Sequence, residues 1–362
     1  MKYMYKFARL PDDKKLISQI NLGASTLFDS IDKLDSDSLN ISDYNKRYLK
    51  RYKNKLRTHL QRLSYLLAWS IFRCKKPLSE ITIIDYGGGA GLLSLLAKAC
   101  GIGSVIYNDI YDVSCIDARV VGESTNFQAD YYVTGDIDAL KVYLKNNAII
   151  PDALVSCDVM EHIYDLKTFL KSLHSLSENN LNYVISTHAN PLNPIIRRTL
   201  MKQQIIAETQ NKVADYGHKS RDSLKSFLDV RKEIIVEKYS DQLSESDINQ
   251  LAINTRGKQR SDIDICLEEY IETKRMPAPL SHPTNTCDPH TGNWADRLTD
   301  PFEIRNLFLE AGLNASVLSC YHGDPKNIFK NILANVLDIL INIFGKHGLR
   351  LASYFMLYGN KK

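Results

Sequence analysis

The sequence predicts an α/β protein, a mostly parallel sheet with helices on both faces. Three observations predict it. Residues 81 to 91, Ile-Thr-Ile-Ile-Asp-Tyr-Gly-Gly-Gly-Ala-Gly, read as a buried strand, a glycine turn and the start of a helix. Further short apolar runs of strand character follow at 104–109, 129–134, 153–157 and 182–187. Asp85 and Asp109 close the first two runs, where open α/β sheets bind their ligands.

At 362 residues the chain has room for one large domain or a domain with substantial insertions. With 44% apolar and 24% charged residues its composition is that of an ordinary globular protein, and a net charge of +4 is too small to argue for nucleic acid. The seven cysteines are odd in number and scattered without a CxxC pair, which argues for a reducing compartment and against a disulfide frame or a cysteine zinc site. Met1 to Lys15 lacks the apolar run of a secretory signal, so a cytoplasmic protein is expected.

Residues 1 to 43 are turn-rich and carry little functional signal. From Tyr44 to Phe72 one long helix is expected, because Leu49, Tyr52, Leu56, Leu60, Leu63 and Leu67 step by three or four. Its first half is basic, with Lys46, Arg47, Lys50, Arg51, Lys53, Lys55, Arg57 and Arg62 uninterrupted by an acid. The bland reading is a solvated face; the sharper one is contact with a phosphorylated substrate or an anionic membrane surface.

Ile81, Ile83 and Ile84 form the first strand. Gly87, Gly89 and Gly91 then supply a sharp turn that a ligand can approach closely, and Leu92, Leu93, Leu95, Leu96 and Ala99 continue at helical spacing. The dinucleotide fingerprint G-x-G-x-x-G is absent, since Leu92 stands where its third glycine would fall; this disfavours a dehydrogenase. Asp85-x-Gly87-x-Gly89-x-Gly91 instead resembles the first motif of the class I S-adenosylmethionine-dependent methyltransferases. That resemblance implies a Rossmann-like seven-stranded sheet, mostly parallel with an antiparallel last strand and helices on both faces. It also implies S-adenosylmethionine as cofactor.

The second strand, Ser104 to Asp109, ends 18 residues past Gly91 on an acid placed to accept both ribose hydroxyls. After a third strand at 129–134, the resemblance implies that Asp136 receives the adenine amino group and that Ile137 packs on its ring. The fourth strand ends at Cys157 and Asp158, which complete the expected cofactor set. DALVSCDVMEHIYDLKTFL is similar to the post-strand segment of the subgroup that includes the ubiquinone and menaquinone methyltransferases. If the segment is helical, Asp158, Glu161 and His162 share one face at the floor of the pocket. A comparable acid-x-x-Glu-His arrangement occurs in RNA 3′-terminal 2′-O-methyltransferases, where such residues hold a divalent metal. Here Asp replaces the first Glu and no clear downstream histidine pattern follows, so no metal ligand is assigned.

The fifth strand, Asn182 to Thr187, leads to His188. From about Asn193 to Lys274 the sequence is helical and charged, with periodic pieces at 223–239 and 262–273, and Met276 to Arg297 is an irregular stretch with four prolines. An insertion here commonly covers the acceptor in the family resembled. His282, Asn285, Thr286, Cys287, Asp288, His290, Asn293 and Trp294 make the irregular stretch a candidate substrate loop. A helix at 301–311 precedes sixth and seventh strands at 314–321 and 353–358. Between them Ile328 to Phe344 is an apolar helix, read as a core or interface element, with peripheral membrane contact as the lesser reading because Lys326, Lys330 and Lys346 lie near its ends.

The expected organisation is thus an N-terminal helical extension (1–79), a cofactor-binding core (80–190), a helical lid and substrate loop (191–299) and the C-terminal part of the core (300–362). The expected activity is methyl transfer to a small acceptor, first of all a hydroxyl of a sugar or glycan-linked intermediate, phosphorylated or not. For a hydroxyl acceptor a base is useful, and the candidates are His290 and His162, followed by His188. RNA 2′-O-methylation, metal-assisted or not, and a non-catalytic S-adenosylmethionine-binding protein are the alternatives; the modest charge argues against nucleic acid. Oligomeric state is not legible.

Overall fold

The computed structural model describes residues 10–178, 180–211, 224–319 and 328–361. Contacts divide the chain into two compact units: Met1–Met160 with Lys167–Asn193 and Asp300–Lys362, and Glu161–Leu166 with Pro194–Thr299.

The first unit opens with α1 (Lys14–Lys33), α2 (Asp43–Asn54) and α3 (Leu56–Ile71). The stretch expected to be turn-rich instead holds α1, a 20-residue helix capped by Asp13 that buries Leu16, Ile20, Leu27 and Ile31. The single helix expected over 44–72 is in fact two, broken at Lys55, whose backbone leaves helical geometry at φ −129°, ψ 29°. Step-by-three-or-four periodicity runs straight through the break, so the pattern hides it. The break separates two environments: α2 buries little beyond Asn45 and Leu49, whereas α3 buries eleven of its sixteen residues. Leu60, Leu66 and Leu67 of α3 and Leu27 and Ile31 of α1 belong to the same apolar core as the strand residues Ile83, Val105 and Val155.

β1 (Thr82–Tyr86), α4 (Leu92–Ala99), β2 (Ser104–Asp109), α5 (Asp112–Thr125), β3 (Tyr131–Thr134), α6 (Ile137–Asn146), β4 (Ala153–Cys157), α7 (Leu166–His174) and β5 (Asn182–Thr187) alternate in order. The third strand begins two residues later than the apolar run suggested, because the Asp130 carboxylate accepts the Val105 N–H at 2.7 Å and so ends the ladder with a side chain. After the second unit come α12 (Pro301–Glu310), β6 (Leu313–Ser319), α13 (Ile328–Phe344) and β7 (Phe355–Lys361). The sixth strand expected at 314–321 is shifted one residue earlier, its last residues lying outside the described ones. The seventh runs further than 353–358, because β7 pairs antiparallel with both β5 and β6. Strand order is β3-β2-β1-β4-β5-β7-β6, with β1 to β5 parallel. This is the seven-stranded sheet that the glycine motif implied.

The second unit holds α8 (Pro194–Thr209), α9 (Phe227–Tyr239), α10 (Glu245–Asn254) and α11 (Arg260–Thr273) around Val230, Ile234, Leu251, Ile263 and Leu267. The periodic piece expected from 223 starts at Phe227, where the Ser226 side chain caps the helix; Ser223 is outside the described residues. Within this core Arg231 is fully buried. Its Nε donates to the Ala252 carbonyl at 2.7 Å, and its Nη atoms pair with the Glu208 carboxylate, which also accepts from Thr286 at 2.7 Å. A paired buried guanidinium is tolerated only while its partners persist. Arg231→Ala is therefore expected to destabilise this unit by about 3–5 kcal/mol. A urea midpoint that does not move would refute the importance of the pair.

Candidate active site

The cofactor residues expected from the sequence come together at the carboxyl ends of four neighbouring strands. Gly87 to Gly91 turn sharply after β1. Gly89 has φ +54°, and a Cβ there would meet no atom within 4 Å, so this turn opens a bare backbone to space rather than to packing. Gly91 has φ +80° and caps α4, whose first N–H groups are thereby directed at the same region. Asp85 sits buried beneath, its Oδ2 accepting the Ser94 N–H at 3.0 Å and the Ser94 hydroxyl at 2.7 Å. Thus the motif acid ties the turn to the helix and does not face the open side.

Three successive residues of β2 clamp the turn. The Tyr107 hydroxyl donates to the Gly89 carbonyl at 2.5 Å, and the Asn108 carbonyl accepts from Gly87 at 2.9 Å and Gly88 at 3.0 Å. Asp109 Oδ2 accepts the Gly89 N–H at 3.0 Å, while its Oδ1 accepts from Tyr111 at 3.0 Å. Each Asp109 oxygen has a second lone pair, so the carboxylate keeps capacity for further donors. The Asn108 amide reaches across to the Val133 and Gly135 carbonyls, both at 3.0 Å, fixing the turn that carries Asp136 and Ile137. Asp136 caps α6 through Oδ1 alone, and Ile137 is buried behind it. Tyr107 and Asn108 were not singled out from sequence; the signal was their place in the last turn of a strand that ends on the candidate ribose acid.

Asp158 differs from expectation. Instead of opening a helix, it takes a left-handed conformation at φ +57°, and a short 3₁₀ turn at Met160–His162 follows. No common helical face therefore joins Asp158, Glu161 and His162, and the first belongs to one unit while the other two belong to the second. The strained Asp158 backbone is held by its side chain. Arg62 from α3 grips the carboxylate with two bonds, Nη1 to Oδ2 at 2.6 Å and Nη2 to Oδ1 at 2.8 Å, and donates to Ser186 Oγ at 2.9 Å. Tyr354 stacks under the guanidinium at 4.3 Å. Burial alone would raise the Asp158 carboxyl, but the adjacent Arg62 charge prevails and holds it well below the usual carboxylate range.

The same carboxylate positions His188 at the exit of β5. Asp158 Oδ1 accepts the His188 backbone N–H at 3.0 Å and lies 3.2 Å from the ring Nδ1. With Nδ1 donating to a carboxylate, Nε2 is the accepting nitrogen. The ring is 37% exposed. In the sequence Arg62 is one member of a basic run that reads either as a solvated face or as an anion-contacting one; its partner lies 96 residues away, so no local pattern reveals it.

His162 and His290 lie in the second unit. His162 Nδ1 is 2.8 Å from the Trp294 carbonyl, and its Nε2 is 3.7 Å from Asp296. His290 is exposed, its N–H bonded to Asp288 Oδ1 at 2.9 Å. The stretch at 276–297 is far less open than its composition suggested. Thr284, Asn285, Thr286, Cys287, Asp288 and Trp294 are buried. Gln204 bonds Thr284, Asn285 and the Asp296 carbonyl at 2.6, 3.0 and 2.8 Å, and Cys287 pairs with Trp294 as an isolated bridge. Those groups hold the loop's own fold, which sequence density of polar residues could not distinguish from ligand binding.

The turn, the Asp109 carboxylate and the Asp136–Ile137 corner fit S-adenosylmethionine: the open space at Gly89 is the kind that a side chain would fill, and acidic acceptors flank it on adjacent strands. Two titrations near this region oppose one another. Burial pushes Asp85 up to about 7, and burial together with Arg62 and Arg51 pushes His59 down to about 4. A raised acid loses stability as pH rises from its ordinary 3.8 through 7, whereas a lowered histidine loses it as pH falls from 6.5 through 4. Relative to the wild type, Asp85→Asn is expected to make unfolding free energy climb more steeply with pH between these limits, and His59→Gln to make it fall. Slopes identical to wild type in denaturant titrations at stepped pH would refute both assignments.

In comparisons with known proteins, residues 48–231, just over half of the chain, match the family model of a methyltransferase domain. No protein of curated function matches in sequence. Among solved structures, an S-adenosylmethionine-dependent methyltransferase from Mesorhizobium loti is 14% identical, with 80% of this chain and 95% of that one covered and a TM-score of 0.37. A magnesium protoporphyrin IX methyltransferase from Synechocystis, with bound SAH, is 13% identical, with 87% and 93% covered and a TM-score of 0.39. The chain belongs to the methyltransferase-domain family and is a class I S-adenosylmethionine-dependent methyltransferase.

Proposed function

We propose that the enzyme methylates a hydroxyl group of a small acceptor, a sugar or glycan-linked intermediate, and that His188 is its general base. The observation that carries this reading is the Asp158–His188 contact at the exits of β4 and β5, on the same sheet edge as the cofactor residues. When bound, S-adenosylmethionine supplies an electrophilic methyl group. A hydroxyl must lose its proton as it reacts, whereas a thiolate or a neutral amine can attack without prior deprotonation, so an oriented imidazole suits a hydroxyl.

In this reading Asp109 receives the ribose hydroxyls, Asp136 and Ile137 the adenine, and the Gly87–Gly91 turn leaves room for the remainder, with Cys157 and Asp158 bordering the site. Asp158 keeps His188 in the tautomer whose Nε2 accepts a proton, and Arg62 keeps Asp158 ionised throughout. The exposed Arg47 and Arg51 of α2 favour an acceptor that carries phosphate. The His162 ring is engaged through Nδ1 with the Trp294 carbonyl, which supports His188 ahead of it.

Two measurements test this. Calorimetric titration with S-adenosylmethionine should show affinity weakened about 10- to 100-fold in Asp109→Ala, the loss of a charged acceptor of roughly 1.5–3 kcal/mol. It should be abolished in Gly89→Val, since a β-branched residue cannot hold φ +54°. Transfer of radiolabelled methyl to sugars, nucleotide sugars and glycolipids should then identify an acceptor, with kcat falling about 10²- to 10⁴-fold in His188→Ala while cofactor affinity is unchanged. Full activity in that variant would exclude His188 as the base.

A further inference from the structure

α13 carries an apolar stripe that the described protein does not cover. At 3.6 residues per turn, Ile332, Leu333, Val336, Ile339, Ile343 and Phe344 fall within one arc of about 140°. All six are exposed, from 37% at Ile339 to 71% at Ile343. The opposite arc is packed: Ala334, Asp338 and Ile341 are buried. Behind the helix, the 3₁₀ segment Gly345–Arg350 folds back so tightly that a Cβ at Gly348 would stand 2.2 Å from the Ile341 carbonyl oxygen. The Asn190 amide fixes that segment by donating to the Leu349 and Ala352 carbonyls, both at 2.9 Å. The C-terminal end of the stripe is therefore anchored by packing and by hydrogen bonds.

Charge says what covers it. Between 328 and 351 the sole acid is Asp338, which is buried, while Lys346, His347 and Arg350 are exposed beside the stripe's end. A second copy laid on this face would bring cations and no acids from this segment. A lipid surface offers both an apolar layer and anionic headgroups. By length and composition Ile332–Arg350 is apolar enough to cross a membrane, at mean hydropathy 1.3, but its inner face is occupied by protein and holds Asp338. Such a helix lies in the interface plane and does not span.

We propose that α13 seats the enzyme on an anionic membrane surface and that its acceptor is an amphiphile, a hydroxylated headgroup on a lipid tail, taken from that surface. The acceptor part rests on the hydroxyl reading above. Asn190, which anchors the base of the stripe, lies two residues beyond His188 in the same loop, so the site edge and the membrane face share one support.

The test is sedimentation of the full chain with phosphatidylcholine vesicles, with and without phosphatidylglycerol, alongside calorimetry with S-adenosylmethionine. We expect binding to the anionic vesicles, a drop of at least about tenfold in partitioning for the Ile332→Glu/Val336→Glu double variant as its apolar area is lost, and unchanged cofactor affinity. Lys346→Glu/Arg350→Glu should weaken binding at low salt and match wild type at about 1 M salt, where the screening length is about 3 Å. Absence of binding to either vesicle, binding unaffected by the double variant, or a solution dimer that the double variant converts to a monomer without vesicle binding would overturn the surface assignment. Vesicle binding without methyl transfer to any lipid-linked hydroxyl would uphold the surface and overturn the acceptor.

Discussion

The bidentate pair between Arg62 and Asp158 is the interaction on which the catalytic edge depends. It joins α3, which precedes the sheet in sequence, to the residue that leaves β4, and through Asp158 it reaches the ring of His188. A carboxylate with left-handed backbone geometry at a strand exit is an uneasy arrangement. The guanidinium, the His188 N–H and the Ser186 backbone, whose carbonyl accepts the Asp158 N–H at 2.8 Å, hold it there. Arg62 also neutralises the Asp158 carboxylate, so orientation of the ring is what Asp158 contributes to His188.

The cofactor side is built on a different economy. Asp85 does not compete for ligand; it is buried and spends both its contacts on Ser94. The ligand-facing part of the motif is backbone, and backbone must be held from behind. Tyr107, Asn108 and Asp109 do so from consecutive positions, and because successive strand residues point to opposite faces, the three can serve the glycine turn and the β3 turn together. Preorganised donors and acceptors of this sort need no rearrangement when a ligand arrives.

The second unit answers the same problem of buried polarity by saturation. Arg231, Glu208 and Thr286 form one set of bonds and Gln204, Thr284 and Asn285 another, and through them an irregular, proline-rich segment is pinned to α8 and α9. Polar groups in a dry interior are stable only when each is matched. Composition marks that segment as chemically rich, but the richness serves its own packing, and the stacking of Tyr164 on Trp294, with Arg297 over the indole at 4.4 Å, closes it further.

What the sequence determined by itself was local. Strand, turn and helix around Gly87–Gly91 follow from short-range sterics, and the apolar runs at 104–109, 153–157 and 182–187 mark buried parallel strands because both their faces must be covered. Through the family resemblance that the glycine motif carries, the seven-stranded sheet and its cofactor edge were legible as expectations. Domain limits and site roles were legible only as expectations, and three features were hidden outright. The break at Lys55 was masked because a helical period continues across it. Arg62 looked like one cation among eight, since its carboxylate lies far along the chain. The loop at 276–297 looked available because a polar side chain reads the same whether it meets a ligand or a buried neighbour. Each of these is decided by which distant residues the fold brings within hydrogen-bond reach, and a one-dimensional pattern carries no distance.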